Sequence, residues 1–519
     1  MTPWLTILGI VPLVGALLVS ILPAGRDLLV KQVALATSLV VLVLTVVMCV
    51  QFDAGSGDRF QFAQSYDWIR SFGVHYAVGV DGIALVLIAL IAVLVPVVLL
   101  ASWDDVESLS DGADAPAASR KSVKSFFALL LVLETMMFGV FAATDVFLFY
   151  VFFEAMLIPM YFLIGSYGGP KRSYAAVKFL LYSLFGGLLM LAAVIGLYVE
   201  SAKVGTGTFS FEALTKLELS HATQGWLFLG FFIAFAIKAP LFPFHTWLPD
   251  AGAEAPTGNA ILLVGILDKV GTFGFLRYCL PLFPWAAREF APYVIALSVI
   301  GIIYGALLAM GQKDMKRLVA YTSVAHFGYI GLGCFAFTTQ AGTGAVLYMV
   351  NHGLSTGALF MVIGFLINRG KSRLVGDYSG IAKTAPKLGA LFFISGLSAL
   401  ALPGLSTFVS EFLVLVGSFQ RYPVATIIAT SGIVLAALYI LLTYQRTMQG
   451  PLSAVHATMR DLNPREVAAL APLIALMLFL GFYPKPVTDV VNPAVKVTMQ
   501  DVGAHDPAPT DVTTAAKSK

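Results

Sequence analysis

The chain has 519 residues, of which 58% are hydrophobic and only 12% charged, and its mean hydropathy is +0.86. Soluble domains carry about 25% charged residues, so the composition indicates a membrane protein. The net charge of +3 gives no basis for nucleic-acid binding. The three cysteines, Cys49, Cys279 and Cys334, are far apart and show no CxxC spacing, which argues against a metal-cluster site. No Walker or GxGxxG loop lies between a strand and a helix, which argues against a nucleotide site.

Apolar runs predict an all-α integral membrane protein. A spanning helix needs about 20 mostly apolar residues, and about fourteen such runs occur. They cover residues 3–22, 30–50, 82–101, 125–143, 145–165, 175–199, 226–244, 257–278, 291–310, 317–337, 342–366, 387–417, 424–445 and 466–484. Pro240 and Pro243 in the seventh run and Pro403 in the twelfth predict that these two helices are broken.

The segments between the runs are of different kinds. In residues 51–80, Phe60, Phe62, Tyr66 and Trp68 alternate weakly and predict a short hairpin on the outer side. Residues 102–121 are predicted to be a flexible acidic loop, and residues 500–519 a disordered tail. The apolar N-terminus lacks a basic segment with a cleavage site, so we expect a retained first helix.

Lysine and arginine are concentrated in alternate predicted loops, and the positive-inside rule assigns those loops to the cytoplasm. The clusters are Arg120, Lys121 and Lys124; Lys171, Arg172 and Lys178; Lys313, Lys316 and Arg317; and Arg369, Lys371 and Arg373. With an even number of spans, both termini are then predicted to lie outside.

Ionisable residues lie near the middle of several apolar runs. A charge at the centre of a bilayer costs at least about 2.5–3.5 kcal/mol on insertion scales, so such residues indicate a function. They are Glu134, Glu154, Lys238, Lys269, His326, His352 and Glu411. Titratable groups at one depth predict a path for protons or cations that runs along the membrane.

The seventh run carries the strongest signal. Pro240 and Pro243 cannot donate to the carbonyls of Ala236 and Ala239, so the break is expected to free carbonyls beside Lys238. Broken helices at this depth hold the ion sites of transporters. Glu154 is the natural partner for Lys238, and a carboxylate close to the lysine would favour its charged form against burial.

The remaining candidates extend this row. Lys269 is a candidate relay base, His326 and His352 are suited to pass protons, and Glu411 puts a negative charge at the second broken helix. The role of Glu134 is less defined. His245, just after the first break, is expected to cap the site, and Asp268 is either a local partner of Lys269 or a mark of a wet helix face.

Predicted helices 4–8 and 9–13 are two five-helix units with the broken helix fourth in each. An odd number of helices per unit makes the units inverted. The predicted organisation is an N-terminal segment 1–121, a first repeat 122–285, a second repeat 286–447, a final helix with its flanks 448–499, and the tail 500–519.

Six stretches carry a specific resemblance to a known family. They are KAPLFPFHTWLPDAGAEAP, FEAMLIPMYFLIG, LDKVGTFGFLR, DMKRLVAYTSVAHFGYI, NHGLSTGALFM and LPGLSTFVSEFL. Together they resemble the antiporter-like membrane subunits of respiratory complex I and the related multisubunit cation/proton antiporters, over nearly the whole chain. The resemblance implies a fourteen-helix core of two inverted five-helix units, whose broken helices 7 and 12 carry proton-channel residues.

The resemblance also implies roles. Glu154 and Lys238 would form a modulating pair, Lys269 and His326 would link two half-channels, and Glu411 would face the outer exit, whereas the family pattern assigns nothing to Asp268. A glutamate at position 411 favours one branch of the complex I subunits, since sister subunits and antiporters usually carry lysine there. The chain ends soon after predicted helix 14, whereas the related subunit L continues into a long lateral helix.

The implied activity is redox-driven proton translocation as a subunit of NADH:ubiquinone reductase, with no redox chemistry in this chain. NADH, FMN, iron–sulfur clusters and quinone would then be bound by partner subunits. The implied partners of this chain are other complex I membrane subunits, especially the neighbouring antiporter-like subunits L and N, and membrane lipids. The bacterial inner membrane is favoured over the mitochondrial one. Two alternatives stay open. The chain could be a subunit of a Na⁺/H⁺ antiporter, which sodium-dependent transport in the absence of NADH would favour. It could also be a structural scaffold, in which case substitutions of the midplane residues would leave pumping intact.

Overall fold

The computed structural model describes residues 2–23, 25–106 and 122–507. The parts of the predicted acidic loop and tail at residues 107–121 and 508–519 lie outside the described residues. The long helices of the N-terminal half are α1 (Trp4–Ile21), α2 (Asp27–Gln51), α3 (Gly82–Ala101), α4 (Val123–Ala142), α5 (Val146–Tyr167), α6 (Arg172–Val204), α7 (His221–Lys238) and α8 (Thr257–Leu282).

The C-terminal half continues with eight more long helices. They are α9 (Pro284–Met310), α10 (Met315–Phe335), α11 (Thr339–Gly370), α12 (Pro386–Ala399), α13 (Ser406–Phe419), α14 (Pro423–Met448), α15 (Pro464–Phe482) and α16 (Lys485–Asp501). Helices α12 and α13 are the two halves of the predicted twelfth run, so the break expected at Pro403 is present. The first fifteen helices follow the apolar runs within a few residues.

Twelve helices in the described ranges are long and apolar enough to cross a membrane. Helix α7 is not among them because its first turn, HATQ, is polar, and α12 and α13 have only 14 residues each. The all-helical membrane fold is therefore confirmed, while the number of about fourteen spans stays a prediction.

Polar side chains cap the N-termini of several helices by accepting hydrogen bonds from backbone N–H groups that would otherwise be unpaired. Asp145 accepts from Phe147 and Leu148 at the start of α5, and Asp314 accepts from Lys316 and Arg317 at the start of α10. Asn463 and Glu466 form a reciprocal capping box on α15. These caps fix where each span starts.

The predicted hairpin is present. Strands β1 (Gln61–Ile69) and β2 (Val74–Val80) pair antiparallel, with Tyr66 opposite Tyr76. Gly73 has φ of +62° in the connecting turn, a conformation that suits glycine. The Gly207 carbonyl oxygen lies 2.6 Å from where a Cβ on Gly73 would be, so the turn packs tightly against the loop that contains Gly207.

Helix α16 was not predicted as a helix, and the prediction of disorder from residue 500 is wrong for residues 500–507. Val491, Val495 and Met499 bury one face of α16, and Asp501 pairs with Arg59 near the hairpin at 2.7 Å. Beyond the helix, Asp506 accepts from the Thr339 N–H at 2.7 Å. Polar residues cover the other face of α16, so its composition resembles a loop.

Burial is unequal along the bundle. Helices α8, α10 and α11 are buried over nearly their whole length, whereas no more than 33% of the residues are buried in the most apolar stretches of α1, α2, α14 and α15. The exposed side chains of these outer helices are large and apolar, including Leu17 and Val43. The ionisable residues of α8, α10 and α11 therefore lie inside a protein core with an apolar exterior.

Candidate functional site

Lys238 is the last residue of α7 and is 1% exposed, which excludes snorkelling to a surface of this chain. Its Nζ atom lies 5.0 Å from the ring centroid of Phe153 and 5.6 Å from that of Phe179. Aromatic faces attract cations. Nζ has no hydrogen-bond partner among the described residues, so the two rings are its main neighbours.

The chain after Lys238 leaves the helix as predicted, but two carbonyls of the last turn are not free. Ala236 O accepts from the Leu241 N–H at 2.9 Å, and Ile237 O accepts from the Trp247 indole N–H at 2.8 Å. The expectation that Pro240 frees the Ala236 carbonyl is therefore wrong, because a wider turn satisfies it. Pro243 lies within this turn, before the short helix Leu248–Glu254.

Glu154 lies on α5, and the predicted close pair with Lys238 is not a contact. Glu154 Oε1 is buried without a hydrogen-bond partner in the described part of the chain, and so is Lys238 Nζ. The two charges interact through space instead. Gly187 on α6 makes the room for this carboxylate, since a Cβ at Gly187 would overlap Glu154 Oε1.

Lys269 is fully buried in the middle of α8. The π-helical segment Leu263–Leu267 precedes it, and Asp268 N–H bonds to Leu263 O at 3.1 Å. Lys269 Nζ donates to the Val264 carbonyl and lies 2.6 Å from His352 Nδ1. The direct partner of Lys269 is thus His352, which lies between Lys269 and His326 in the order of contacts.

His352, His326, Tyr348 and Glu411 continue the row across α11, α10 and α13. The ring centroids of His352 and His326 are 5.2 Å apart. His326 Nδ1 lies 2.7 Å from the Tyr348 hydroxyl, which donates to Glu411 Oε2 at 2.9 Å. All four side chains are at most 4% exposed. Four predicted residues therefore lie in one row, Lys269, His352, His326 and Glu411. Tyr348 joins the last two of them.

The second break places Glu411 in this row. Ala401 and Gly404 have φ of +61° and +91° on either side of Pro403, and the chain re-enters a helix at Ser406. Asn351 on α11 donates to the Ser406 carbonyl at 2.7 Å. This contact ties the first turn of α13 to α11, one helical turn from Tyr348.

Besides Lys238 and Glu154, three further predicted residues lie outside the row. Glu134 on α4 is fully buried, and neither carboxylate oxygen has a partner within the described ranges. His245 packs its ring against Phe242 and Tyr304 beside the first break, which fits the predicted cap. Asp268 is fully buried, so it does not mark a wet helix face.

Sequence reasoning missed Tyr348 and Gly187. Tyr348 precedes His352 by four residues and therefore shares its helix face, which could have identified it. Gly187, one of two adjacent glycines in α6, gave no comparable signal. The described ranges contain no group of three or more His, Cys, Asp or Glu side chains arranged to hold a metal ion.

A family model described as "NADH:quinone oxidoreductase/Mrp antiporter, TM" matches residues 143–437, which include both breaks and the whole row. A protein from Mycobacterium tuberculosis named NADH-quinone oxidoreductase subunit M is 50% identical, over 98% of this chain and 96% of its own length. This chain belongs to the subunit M family. That is a branch of the complex I subunits, as the resemblance predicted.

Two further comparisons agree with this family. NADH-ubiquinone oxidoreductase chain 4 from Arabidopsis thaliana is 37% identical, over 95% of this chain and 96% of its own. A chain of "Respiratory complex I from Thermus thermophilus with bound NADH" superposes with a TM-score of 0.85 at 31% identity. The superposition covers 96% of this chain and 100% of the Thermus thermophilus chain. The subunit M family therefore fits the chain along its full length.

Proposed function

We propose that this chain is a proton-translocating membrane subunit of NADH:quinone oxidoreductase. The observation that carries the proposal is the buried row Lys269–His352–His326–Tyr348–Glu411, built from groups that exchange protons. The names of its relatives and the match to complex I support the same activity. Electron transfer from NADH to quinone would take place in other subunits.

The hydrogen bonds give the row a direction. The single hydroxyl proton of Tyr348 is donated to Glu411, so His326 Nδ1 must carry the proton that points to the tyrosine oxygen. When His326 also carries a proton on Nε2, transfer of its Nδ1 proton to the tyrosine, as the tyrosine passes its own proton to the Glu411 carboxylate, moves one proton along the row and leaves His326 neutral and Glu411 protonated. The Nε2 atoms of His352 and His326 have no hydrogen-bond partner in the described residues, so the step between the two rings needs a bridging water or a movement of an imidazole ring.

Glu154 would set the affinity of Lys238 for its proton. Unit charges roughly 8 Å apart interact by about 2 kcal/mol at an effective dielectric constant of 20. Movement of Glu154 by about 3 Å from such a separation would therefore change the free energy of the charged lysine by about 1 kcal/mol. A neighbouring subunit could drive that movement, since Glu154 is only partly buried in this chain.

We propose partners and placement on the same basis. NADH, FMN, iron–sulfur clusters and quinone belong to other subunits, the antiporter-like subunits L and N are the neighbours, and lipids cover the apolar faces of α1 and α2. The lysine and arginine clusters support a bacterial inner membrane with both termini outside. The repeats at residues 122–285 and 286–447 would be the two inverted units.

The test is Lys238→Ala in native membranes. Assembly is checked on a native gel, and NADH:quinone turnover and the proton gradient are then measured together. Assembled complex with a collapsed gradient and slow turnover supports the proposal. Normal turnover with a normal gradient would contradict it, and sodium-dependent transport without NADH would indicate an antiporter.

A further inference from the structure

Asp268 is a buried carboxylate that the proposed relay does not yet use. It is fully buried on α8, and neither oxygen has a hydrogen-bond partner among the described residues. Burying an unpaired carboxylate costs several kcal/mol. A leucine at position 268 would avoid this desolvation cost, so the presence of an aspartate indicates that the carboxylate has a function.

The face of α8 that carries Asp268 packs against the break after α7. Gly271 lies three residues further on and therefore on the same face. A Cβ at Gly271 would come within 2.5 Å of the Ala239 nitrogen, next to Lys238. Lys269, in contrast, points to His352 on α11. Asp268 thus lies toward the side of α8 that packs against the end of α7, while Lys269 contacts a histidine of α11.

Asp268 acts electrostatically on both lysines. Among the described residues, the Asp268 carboxylate interacts most strongly with the charge of Lys269 and next with that of Lys238, and each lysine interacts with Asp268 in turn. No hydrogen-bonded link between Lys238 and Lys269 is present in the described chain. The row described above therefore starts at Lys269, and the step from Lys238 lacks a carrier.

We propose that Asp268 is the proton carrier between Lys238 and Lys269. The Lys238 ammonium gives its proton to the Asp268 carboxylate, leaving a neutral amine and a carboxylic acid. The acid then gives the proton to the Lys269 amine, which restores the carboxylate and leaves Lys269 charged. This inference rests on the proposed function, and it extends the row beyond Lys269 by two residues, Asp268 and Lys238.

The test compares Asp268→Asn with Asp268→Glu in assembled complex. The amide keeps the shape of the side chain but cannot carry a proton, whereas the glutamate can. Asp268→Asn is expected to slow coupled NADH:quinone turnover at least about tenfold, in line with the loss of a proton-transfer group. Asp268→Glu is expected to restore it to within about threefold of wild type.

Thr272→Val is the matched control on the same helix. It removes one buried hydroxyl, which donates to the Lys269 carbonyl at 3.1 Å, and should leave turnover within about twofold. Normal turnover in Asp268→Asn, or equal losses in the Asn and Glu variants of assembled complex, would overturn the inference. Lys238→Ala, measured in parallel, separates the proposals: if it collapses pumping while Asp268→Asn does not, the relay stands and Asp268 has no part in it.

Discussion

The Tyr348 hydroxyl donates to Glu411 Oε2 at 2.9 Å, and this bond joins the histidines of the central helices to the second broken helix. Its other neighbour is His326 Nδ1 at 2.7 Å. In the described part of the chain, Tyr348 is the side chain that links the His326 imidazole to the Glu411 carboxylate. The proposed proton path therefore depends on its hydroxyl group.

Tyr348→Phe should interrupt proton transfer and leave the fold intact. The variant loses the bonds to His326 and Glu411, and each buried group left unpaired costs about 1–3 kcal/mol of stability. The lost carrier should slow coupled turnover at least about tenfold. The measurement is turnover and gradient in assembled complex. Tyr278→Phe is the control, since it also removes a buried hydroxyl, which donates to the Ala143 carbonyl at 3.2 Å outside the row. Equal behaviour of the two variants would argue that Tyr348 is structural.

Gly187→Ala should displace the Glu154 carboxylate. The new methyl group would overlap Glu154 Oε1, so the side chain has to move away from its place near Lys238. We expect a several-fold loss of coupled turnover, measured in native membranes. Gly196→Ala on the same helix is the control, because its methyl group meets only the flexible end of Leu227. Unimpaired pumping in Gly187→Ala would show that the position of Glu154 is unimportant.

Asp250 should stabilise the junction of α6, α10 and the short helix Leu248–Glu254 above acidic pH. It pairs with Lys178 at 2.7 Å and with Arg317 at 2.5 Å. Burial by itself would raise the pKa of Asp250, but the bonds and charges of Lys178 and Arg317 outweigh it and hold the pKa below its ordinary value. The stabilisation is therefore complete above the unfolded pKa of about 3.9 and is lost as the pH falls through the lowered folded value.

Asp250→Asn should accordingly lower the melting temperature of the purified complex by a few degrees at pH 7. The difference from wild type should persist to about pH 5 and shrink below about pH 4. Asp489→Asn is the control, because its pair with Lys485 is exposed on both sides and such pairs contribute little. A difference that grows on acidification would contradict the assignment.

Val495→Asp should detach α16 from the bundle. Val495 is fully buried, and burial of an unpaired charge there costs several kcal/mol. Limited proteolysis should then cut the C-terminal segment in the variant and spare it in the wild type. Lys496→Asp places the same charge on the exposed neighbouring position and should leave the segment protected. Protection of the Val495→Asp variant would mean that α16 is held by its polar contacts, such as Arg59 with Asp501.

The sequence predicts the helices and breaks because each follows from a local cause. Apolar length defines the spans, and Pro240 and Pro403 each coincide with a break. The cost of burying charge identified Lys238, Lys269 and Glu411 as residues that need a function. These inferences require no knowledge of how the helices pack.

The contacts between helices could not be predicted, because they depend on rotation about each axis. The π-helical segment Leu263–Leu267 changes the register of α8 just before Lys269, so that the lysine meets His352 and not His326. Tyr348 resembled any aromatic residue in an apolar run. Helix α16 was missed because its buried face, including Val491 and Val495, occupies only one side of an otherwise polar segment.

The most direct test of the account is Glu411→Gln in assembled complex reconstituted into vesicles. Glutamine keeps an oxygen that accepts from Tyr348, but it cannot take up the proton at the end of the row. The number of protons moved per NADH oxidised is measured together with turnover. The account predicts that the ratio falls or that turnover drops at least about tenfold. An unchanged ratio at unchanged turnover would contradict a proton path through Glu411.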